Sequence, residues 1–287
     1  MNLDSHITEK LRQCELPALP VLAHKIMRMT QDPYVDPNDI ADLVKMDMSL
    51  STSVLRVANS VAFGYAGKVS SIGEAVSRIG LTRMRDMVLS VSLVSQFRTL
   101  KGIDFCQFWN HCLSVGLATE IIENRARNLT QRHRDYTYTS GLLHKAGILL
   151  LAQNFPDEYQ KVLEEVANQE RDLWELEKEH LGITHNEASH IVFQKWQFPS
   201  EVADVALYYN DPEHVPEASR EITYMVHIAN FACLNQGIGV GIDRFPVSFY
   251  DPAWESIGLS VDDIPSILEA VNEQTQKARE ILEAASK

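Results

Sequence analysis

The sequence predicts an all-α protein, and three observations support this. Apolar residues recur at helical spacing from one end of the chain to the other. Helix-capping and helix-breaking residues stand between these apolar runs. Strand signals are nearly absent: only residues 240–249 could be extended, and Pro246 among them lacks the amide hydrogen that a central strand needs.

The N-terminal third is predicted to form short helices that follow one another closely. Asp36 can cap one of them, with Pro37 in the first turn, where a missing amide hydrogen is tolerated. Ser71 and Glu74 have the spacing of a capping box, in which each side chain accepts a hydrogen bond from the other residue's backbone amide. Gly80 then ends the helix that this box begins.

Longer helices are predicted in the middle of the chain. Near the C-terminus, apolar residues at helical spacing between Ile264 and Leu282 predict an amphipathic helix that docks on the rest of the protein. No linker-like segment divides the chain, so we expect one unit with an N-terminal lobe, a core and a C-terminal extension, covering residues 1–105, 106–240 and 241–287. The central helices are predicted over residues 108–126, 136–152, 156–169, 172–180, 185–196 and 200–209.

Composition argues against several classes of function. The formal net charge is −13, and the short helices of residues 37–60 carry no basic face, so nucleic acid is not expected as a partner. No run of about 18 apolar residues occurs, so no membrane span is expected. The four cysteines form no C-x-x-C pair, and the N-terminus lacks a basic and apolar leader, which predicts a cytoplasmic protein.

Two Glu-x-x-His pairs invite a metal interpretation, because di-iron bundles place such pairs on facing helices. Here the pairs Glu177–His180 and Glu187–His190 are ten residues apart with Gly182 between them, so they cannot easily lie on opposed long helices. We therefore expect ordinary surface positions for both. Phosphate-binding loops, nucleophile elbows and H-E-x-x-H zinc helices are absent from the sequence.

Two histidines stand in apolar surroundings, where a polar ring must find a hydrogen-bond partner. His111 precedes an apolar helical run, and His144 lies inside the apolar stretch from Gly141 to Ala152. Lys145 follows His144 directly. A protonated lysine has no lone pair to offer a metal and repels a divalent cation, so this neighbour argues against a metal at His144.

At this point the sequence resembles a known family, the HDOD or "HD-related output domain" family of bacterial signalling proteins. The resemblance extends over about residues 12–284. Its most specific part is the ordered series L-P-A-L-P at 16–20, D-M-S-L at 47–50, L-R-V-A-N-S at 55–60, F-G at 63–64, V-S-S at 69–71 and E-A at 74–75.

The resemblance also implies a degenerate relative of the HD hydrolases. In those enzymes a histidine, an adjacent His-Asp pair and a late aspartate hold a divalent metal that activates water for phosphate-ester hydrolysis. The related HD-GYP enzymes, which cleave cyclic di-GMP, add further histidines. The positions that match these ligands here are His111, His144, Lys145, His185, Tyr209, Asn210 and Asn230, so that three keep histidine and none keeps aspartate.

These replacements favour a module without catalysis and without a cofactor. The resemblance implies a regulatory or scaffold role in signal transduction, through signalling proteins or a small anionic ligand such as a nucleotide, which Lys145 would suit. The alternative is a metal-dependent phosphohydrolase in which His111, His144 and His185 hold a divalent transition metal. That alternative needs new carboxylates, for which Glu187 and Asp211 are the candidates.

Overall fold

The computed structural model describes residues 21–32, 34–59, 68–97, 100–130, 136–168, 171–238, 242 and 249–286. Regular structure in these ranges is helical throughout, which confirms the predicted all-α fold. The predicted extended stretch at 240–249 lies almost entirely outside the described residues. No described helix has an apolar stretch long enough to cross a bilayer.

The α-helices are α1 (Val21–Met29), α2 (Pro37–Lys45), α3 (Met48–Ala58), α4 (Ile72–Gln96), α5 (Phe105–Arg125), α6 (Thr137–Leu143), α7 (Ala146–Asn154), α8 (Pro156–Asn168), α9 (Leu173–Leu181), α10 (His185–Lys195), α11 (Ser200–Tyr208), α12 (Arg220–Asn235), α13 (Asp251–Ser256) and α14 (Ile264–Ser286).

The chain divides into two compact units by its contacts. Among the described residues, those between 21 and 97 and between 273 and 286 form the N-terminal unit, and those between 100 and 272 form the core unit. In the N-terminal unit, α1, α2 and α3 each pack against α4. In the core unit, α5 packs against α6 and α12, α7 packs against α10, and α10 packs against α11.

The capping predictions for the N-terminal unit are confirmed at two points and corrected at one. The side chain of Asp36 accepts a hydrogen bond from the Asn38 amide at the start of α2. Gly80 breaks α4 with a φ of 81°, a backbone conformation that favours glycine. One half of the predicted capping box is present, since the Ser71 hydroxyl accepts from the Glu74 amide at 3.2 Å, but the reciprocal half was wrong, because the Glu74 carboxylate accepts from the amide and the hydroxyl of Ser70.

In the core unit, Gly116 on α5 and Gly141 on α6 allow the backbones of the two helices to come into contact where they cross. A Cβ atom on Gly141 would lie 2.7 Å from the Cα of Gly116, and a Cβ atom on Gly116 would lie 3.0 Å from the Tyr138 carbonyl oxygen. Neither helix could approach so closely with a larger residue at these positions. The crossing brings the buried faces of α5 and α6 together next to His111 and His144.

The single helix predicted over residues 136–152 was wrong, because the chain breaks at His144 and Lys145 into α6 and α7. The break is stabilised from outside: the Gly147 amide in the first turn of α7 donates to the Ser189 hydroxyl of α10 at 2.7 Å. That bond satisfies an amide that a continuous helix would have satisfied internally. Gly147 also lies directly against the His185 backbone carbonyl, with no room for a Cβ atom.

Gly147→Ala should therefore be strongly destabilising. The new methyl group would overlap the His185 carbonyl, and separating α7 from α10 would also lengthen the bond to Ser189. We expect the free energy of unfolding to fall by about 1–3 kcal/mol or more, measured by urea denaturation.

Gly73→Ala is the matched control, because a Cβ atom there would meet no atom within 4 Å. We expect this variant to be neutral or more stable by about 0.4–1 kcal/mol, since alanine restricts the unfolded chain. Equal effects of the two substitutions would contradict the close approach of α7 to α10.

Candidate functional site

Three helical segments bring together two histidines and an asparagine in the core unit. His111 lies on α5, His144 at the junction of α6 and α7, and Asn230 on α12. All three are buried. The Asn230 Oδ1 position lies 3.1 Å from His111 Nε2 and 3.3 Å from His144 Nε2, and the two ring centroids are 5.4 Å apart. One side-chain amide therefore contacts both imidazoles.

The other ring nitrogens of both histidines face backbone carbonyls. His111 Nδ1 lies 3.1 Å from the Ile238 oxygen, and His144 Nδ1 lies 2.6 Å from the Gly141 oxygen. Burial lowers the pKa of both imidazoles well below the usual value, and the nearby Lys145 ammonium lowers it further. Both rings are therefore neutral near pH 7, and each carries one N–H and one lone pair.

Neutral rings determine how the amide of Asn230 must be oriented. Each ring uses its single N–H at Nδ1, where the only partner is a carbonyl oxygen, so each Nε2 presents a lone pair to Asn230. An amide oxygen there would face two acceptors. Because amide oxygen and nitrogen have nearly the same shape, we assign the NH₂ group to this position, donating one hydrogen to each histidine.

This arrangement uses the lone pairs that a metal ion would use. Histidine ligands of metals commonly donate one ring N–H to a carbonyl or carboxylate while the other nitrogen coordinates. His111 and His144 have that tautomer, but their coordinating nitrogens accept from the Asn230 amide instead. Lys145, which is 3% exposed, adds a positive charge beside them.

His185, the third predicted histidine, belongs to a second hydrogen-bonded group. Its Nδ1 and its backbone nitrogen both contact Glu177 Oε2, at 2.7 and 2.8 Å, and Tyr159 donates to Glu177 Oε1 at 2.7 Å. His185 Nε2 lies 2.9 Å from the Tyr209 hydroxyl. The Tyr209 ring packs edge-on against His144 with centroids 4.7 Å apart, which joins the second group to the first.

The prediction that Glu177 lies on the surface was wrong, since its side chain is fully buried. A signal for this was present in the sequence: Leu173, Glu177 and Leu181 are spaced by four residues and so share one face of α9. Tyr159 carries no comparable signal, because its partner lies on a different helix. The other predicted position, Asn210, is partly buried, and no described residue bonds to its Oδ1 atom.

The donor set does not fit a divalent cation. His111 and His144 meet at Asn230, whereas the free side of the His185 ring meets Tyr209, so the three histidines do not converge. No described carboxylate contacts His111 or His144. Within the described ranges, potential ligand atoms converge to within 4.8 Å at Asp211, Glu213 and His214, which are all exposed.

The two carboxylates that the phosphohydrolase alternative requires are engaged elsewhere. Glu187 accepts from Lys178 at 3.0 Å and from the Thr184 amide at 2.8 Å, where it completes the capping box of α10. Asp211 lies 2.9 Å from His214 Nδ1 on the surface. Neither carboxylate contacts the imidazole pair.

The lowered pKa values of His111 and His144 predict that the protein becomes less stable as the pH is lowered. Because the unfolded chain binds more protons than the folded chain below the ordinary histidine pKa, the free energy of unfolding must decrease as pH falls. Between about pH 6.5 and pH 5.5 we expect a loss of about 2 kcal/mol from the two rings, measured by urea denaturation. His144→Gln should remove about half of this dependence, and an unchanged dependence would contradict the assignment.

Glu177→Gln should weaken the core unit. The substitution places an amide NH₂ group where one carboxylate oxygen accepts, so that a buried donor of His185 or Tyr159 loses its acceptor. We expect a loss of about 2–3 kcal/mol in the free energy of unfolding, measured by thermal or urea denaturation. Glu179→Gln, two residues away and mostly exposed, should change it by less than about 0.5 kcal/mol. Similar losses for both variants would refute the special role of Glu177.

Known proteins with solved structures resemble this chain over nearly its whole length. An HDOD domain protein of unknown function from Geobacter sulfurreducens is 26% identical, with a TM-score of 0.75 over 94% of this chain and 97% of its own. A protein from Marinobacter aquaeolei VT8, named for signal transduction, has a TM-score of 0.81 at 21% identity, over 99% of this chain and 66% of its own. A protein from Shewanella amazonensis SB2B, named as a phosphohydrolase candidate, has a TM-score of 0.76 at 23% identity, over 97% of each chain.

Sequence comparison leads to the same family. An uncharacterized protein of Treponema pallidum (strain Nichols) is 27% identical over 223 residues, which are 75% of this chain and 42% of the relative. This chain thus spans less than half of that relative's length. The family description that matches this sequence is the HDOD domain, over residues 16–212. Because the match covers more than half of the sequence, the chain belongs to the HDOD family.

Proposed function

We propose that this protein is a non-catalytic regulatory module of a bacterial signalling network, and that it acts by binding. The observation that carries the proposal is the contact of Asn230 with both His111 and His144. An enzyme of the HD type needs these nitrogens for a metal that activates water. Here a neutral amide satisfies them, so the former metal position has become part of the core.

Charge supports the same proposal. Replacing the two metal-binding aspartates of the HD pattern with Lys145 and Asn230 removes two negative charges and adds one positive charge. A dication brought to this position would meet a buried ammonium and, in the described part of the chain, no carboxylate that contacts His111 or His144, at a large desolvation cost. The Shewanella likeness, at 23% identity, supports the fold alone.

Burial favours a protein partner over a small ligand at the former metal position. Lys145, the group best suited to an anion, is 3% exposed, and the imidazoles beside it are less exposed still. A nucleotide would reach them only if the junction of α6 and α7 opened. A partner that binds the outer surface needs no such opening, and the greater length of two relatives is consistent with a domain that works beside others.

Metal analysis combined with phosphodiesterase assays tests the proposal. Protein purified without added metal should contain no stoichiometric cation, and it should hydrolyse neither bis-p-nitrophenyl phosphate nor cyclic di-GMP when Mn²⁺, Ni²⁺ or Zn²⁺ is added. Turnover that His144→Ala abolishes, or a tightly bound cation at His111 and His144, would overturn it.

A variant that restores the lost carboxylates is the matched positive control. In Lys145→Asp/Asn230→Asp, two carboxylates replace the ammonium and the amide beside His111 and His144. We expect this variant to bind Zn²⁺ at least about tenfold more tightly than the unmodified protein, measured by calorimetric titration. Equal affinities would show that charge at these two positions does not decide metal binding.

A further inference from the structure

The N-terminal unit contains a cavity of about 520 Å³ formed by residues of α1, α3 and α4 and by the N-cap of α3. This volume lies in the range of small-molecule sites in proteins, which span about 300–1,000 Å³. The residues that line the cavity are Val21, Leu22, Asp47, Ser49, Leu50, Ser53, Val91, Ser92, Ser95 and Gln96.

Four of the lining residues are serines, which make one wall of the cavity polar. Ser49 and Ser53 are four residues apart on α3, and Ser92 and Ser95 are three apart on α4, so each pair lies on one helix face. Ser53 and Ser92 are 8% and 7% exposed, and neither hydroxyl has a hydrogen-bond partner among the described residues.

In this respect Ser53 and Ser92 differ from three other serines of this unit. Ser51 donates to the Val44 carbonyl, Ser77 to the Gly73 carbonyl and Ser90 to the Asp86 carbonyl. Buried hydroxyls are normally satisfied in this way. Ser53 and Ser92 instead leave their hydrogen-bonding capacity directed into an open volume, which is what a polar ligand requires.

The remaining lining narrows the class of ligand. Leu22, Leu50 and Val91 supply aliphatic contacts, and Gln96 supplies a carboxamide. Among the described lining residues, Asp47 carries the one formal charge, and one of its oxygens caps the Leu50 amide. Without a described cation in the lining, a phosphate or carboxylate group would have no counter-charge.

We propose that this cavity binds an uncharged nucleoside. The flat face of a base would pack against the aliphatic residues, while its edge would exchange hydrogen bonds with the Ser53 and Ser92 hydroxyls and the Gln96 amide, groups that pair readily with base edges. The same chemistry rejects nucleotides, because their phosphate would approach Asp47. This site lies in the N-terminal unit and goes beyond the function proposed for the core unit.

Titration calorimetry on the full chain tests the proposal, with adenosine, guanosine, cytidine and uridine as probes. At least one nucleoside should bind with a dissociation constant below about 1 mM, and its 5′-monophosphate should bind at least about tenfold more weakly. Absence of heat for all four nucleosides up to about 10 mM would overturn the proposal, as would equal or tighter binding of the monophosphate.

Two variants separate a binding role from a structural one. Ser53→Ala/Ser92→Ala should weaken nucleoside binding by about tenfold or more, because each lost hydrogen bond accounts for roughly a 2- to 13-fold change. Its melting temperature should remain close to that of the parent, since the removed hydroxyls have no partner among the residues that the structure describes. Ser77→Ala on the same helix is the control, because its hydroxyl bonds Gly73 outside the cavity, and it should leave affinity unchanged. Unaltered affinity in the double variant would refute the assignment.

Discussion

The side-chain amide of Asn230 holds the centre of the core unit together. It joins α12 to His111 on α5 and to His144 at the junction of α6 and α7. Two neutral imidazoles that already donate to carbonyls need two further donors, and a single carboxamide supplies both. An aspartate at this position would present only acceptors when ionised, and would then require a metal or protonated rings. The identity of this residue therefore determines whether the position offers donors or acceptors to the two rings.

Further buried polar side chains are connected to this contact through His144. Tyr209 packs on His144 and contacts His185, and His185 donates to the carboxylate of Glu177. Each member has a partner, as buried polar groups require when the surrounding dielectric is low. We interpret the network as a source of specificity for the packing of the helices.

The network depends on close approaches that only glycine allows. Gly116 and Gly141 let α5 and α6 cross at backbone distance, and Gly147 lets α7 lie against the carbonyl of His185. These approaches place His111, His144 and His185 in the same buried region. Packing thus determines which groups face the histidine nitrogens: the Asn230 amide faces His111 and His144, whereas the Tyr209 phenol and the Glu177 carboxylate face His185.

The sequence alone determined the class of fold, most helix positions, the helix cap at Asp36 and the break at Gly80. These features depend on local spacing and local backbone chemistry, which a sequence displays directly. The resemblance to a family then indicated His111, His144 and Asn230, which the structure does bring into contact. The convergence itself could not be read from the sequence, because these residues are up to 119 positions apart.

Only the tertiary structure decided how those residues are used. Periodicity could indicate that Glu177 lies on the buried face of α9, but not that its carboxylate meets His185 or that residues 136–152 form two helices, because both outcomes depend on contacts with other helices. The charge state of the imidazoles was likewise undecided until their burial and the electrostatic effect of Lys145 were known. Local chemistry determines which helices form, whereas desolvation and the geometry of distant partners determine what a buried side chain can do.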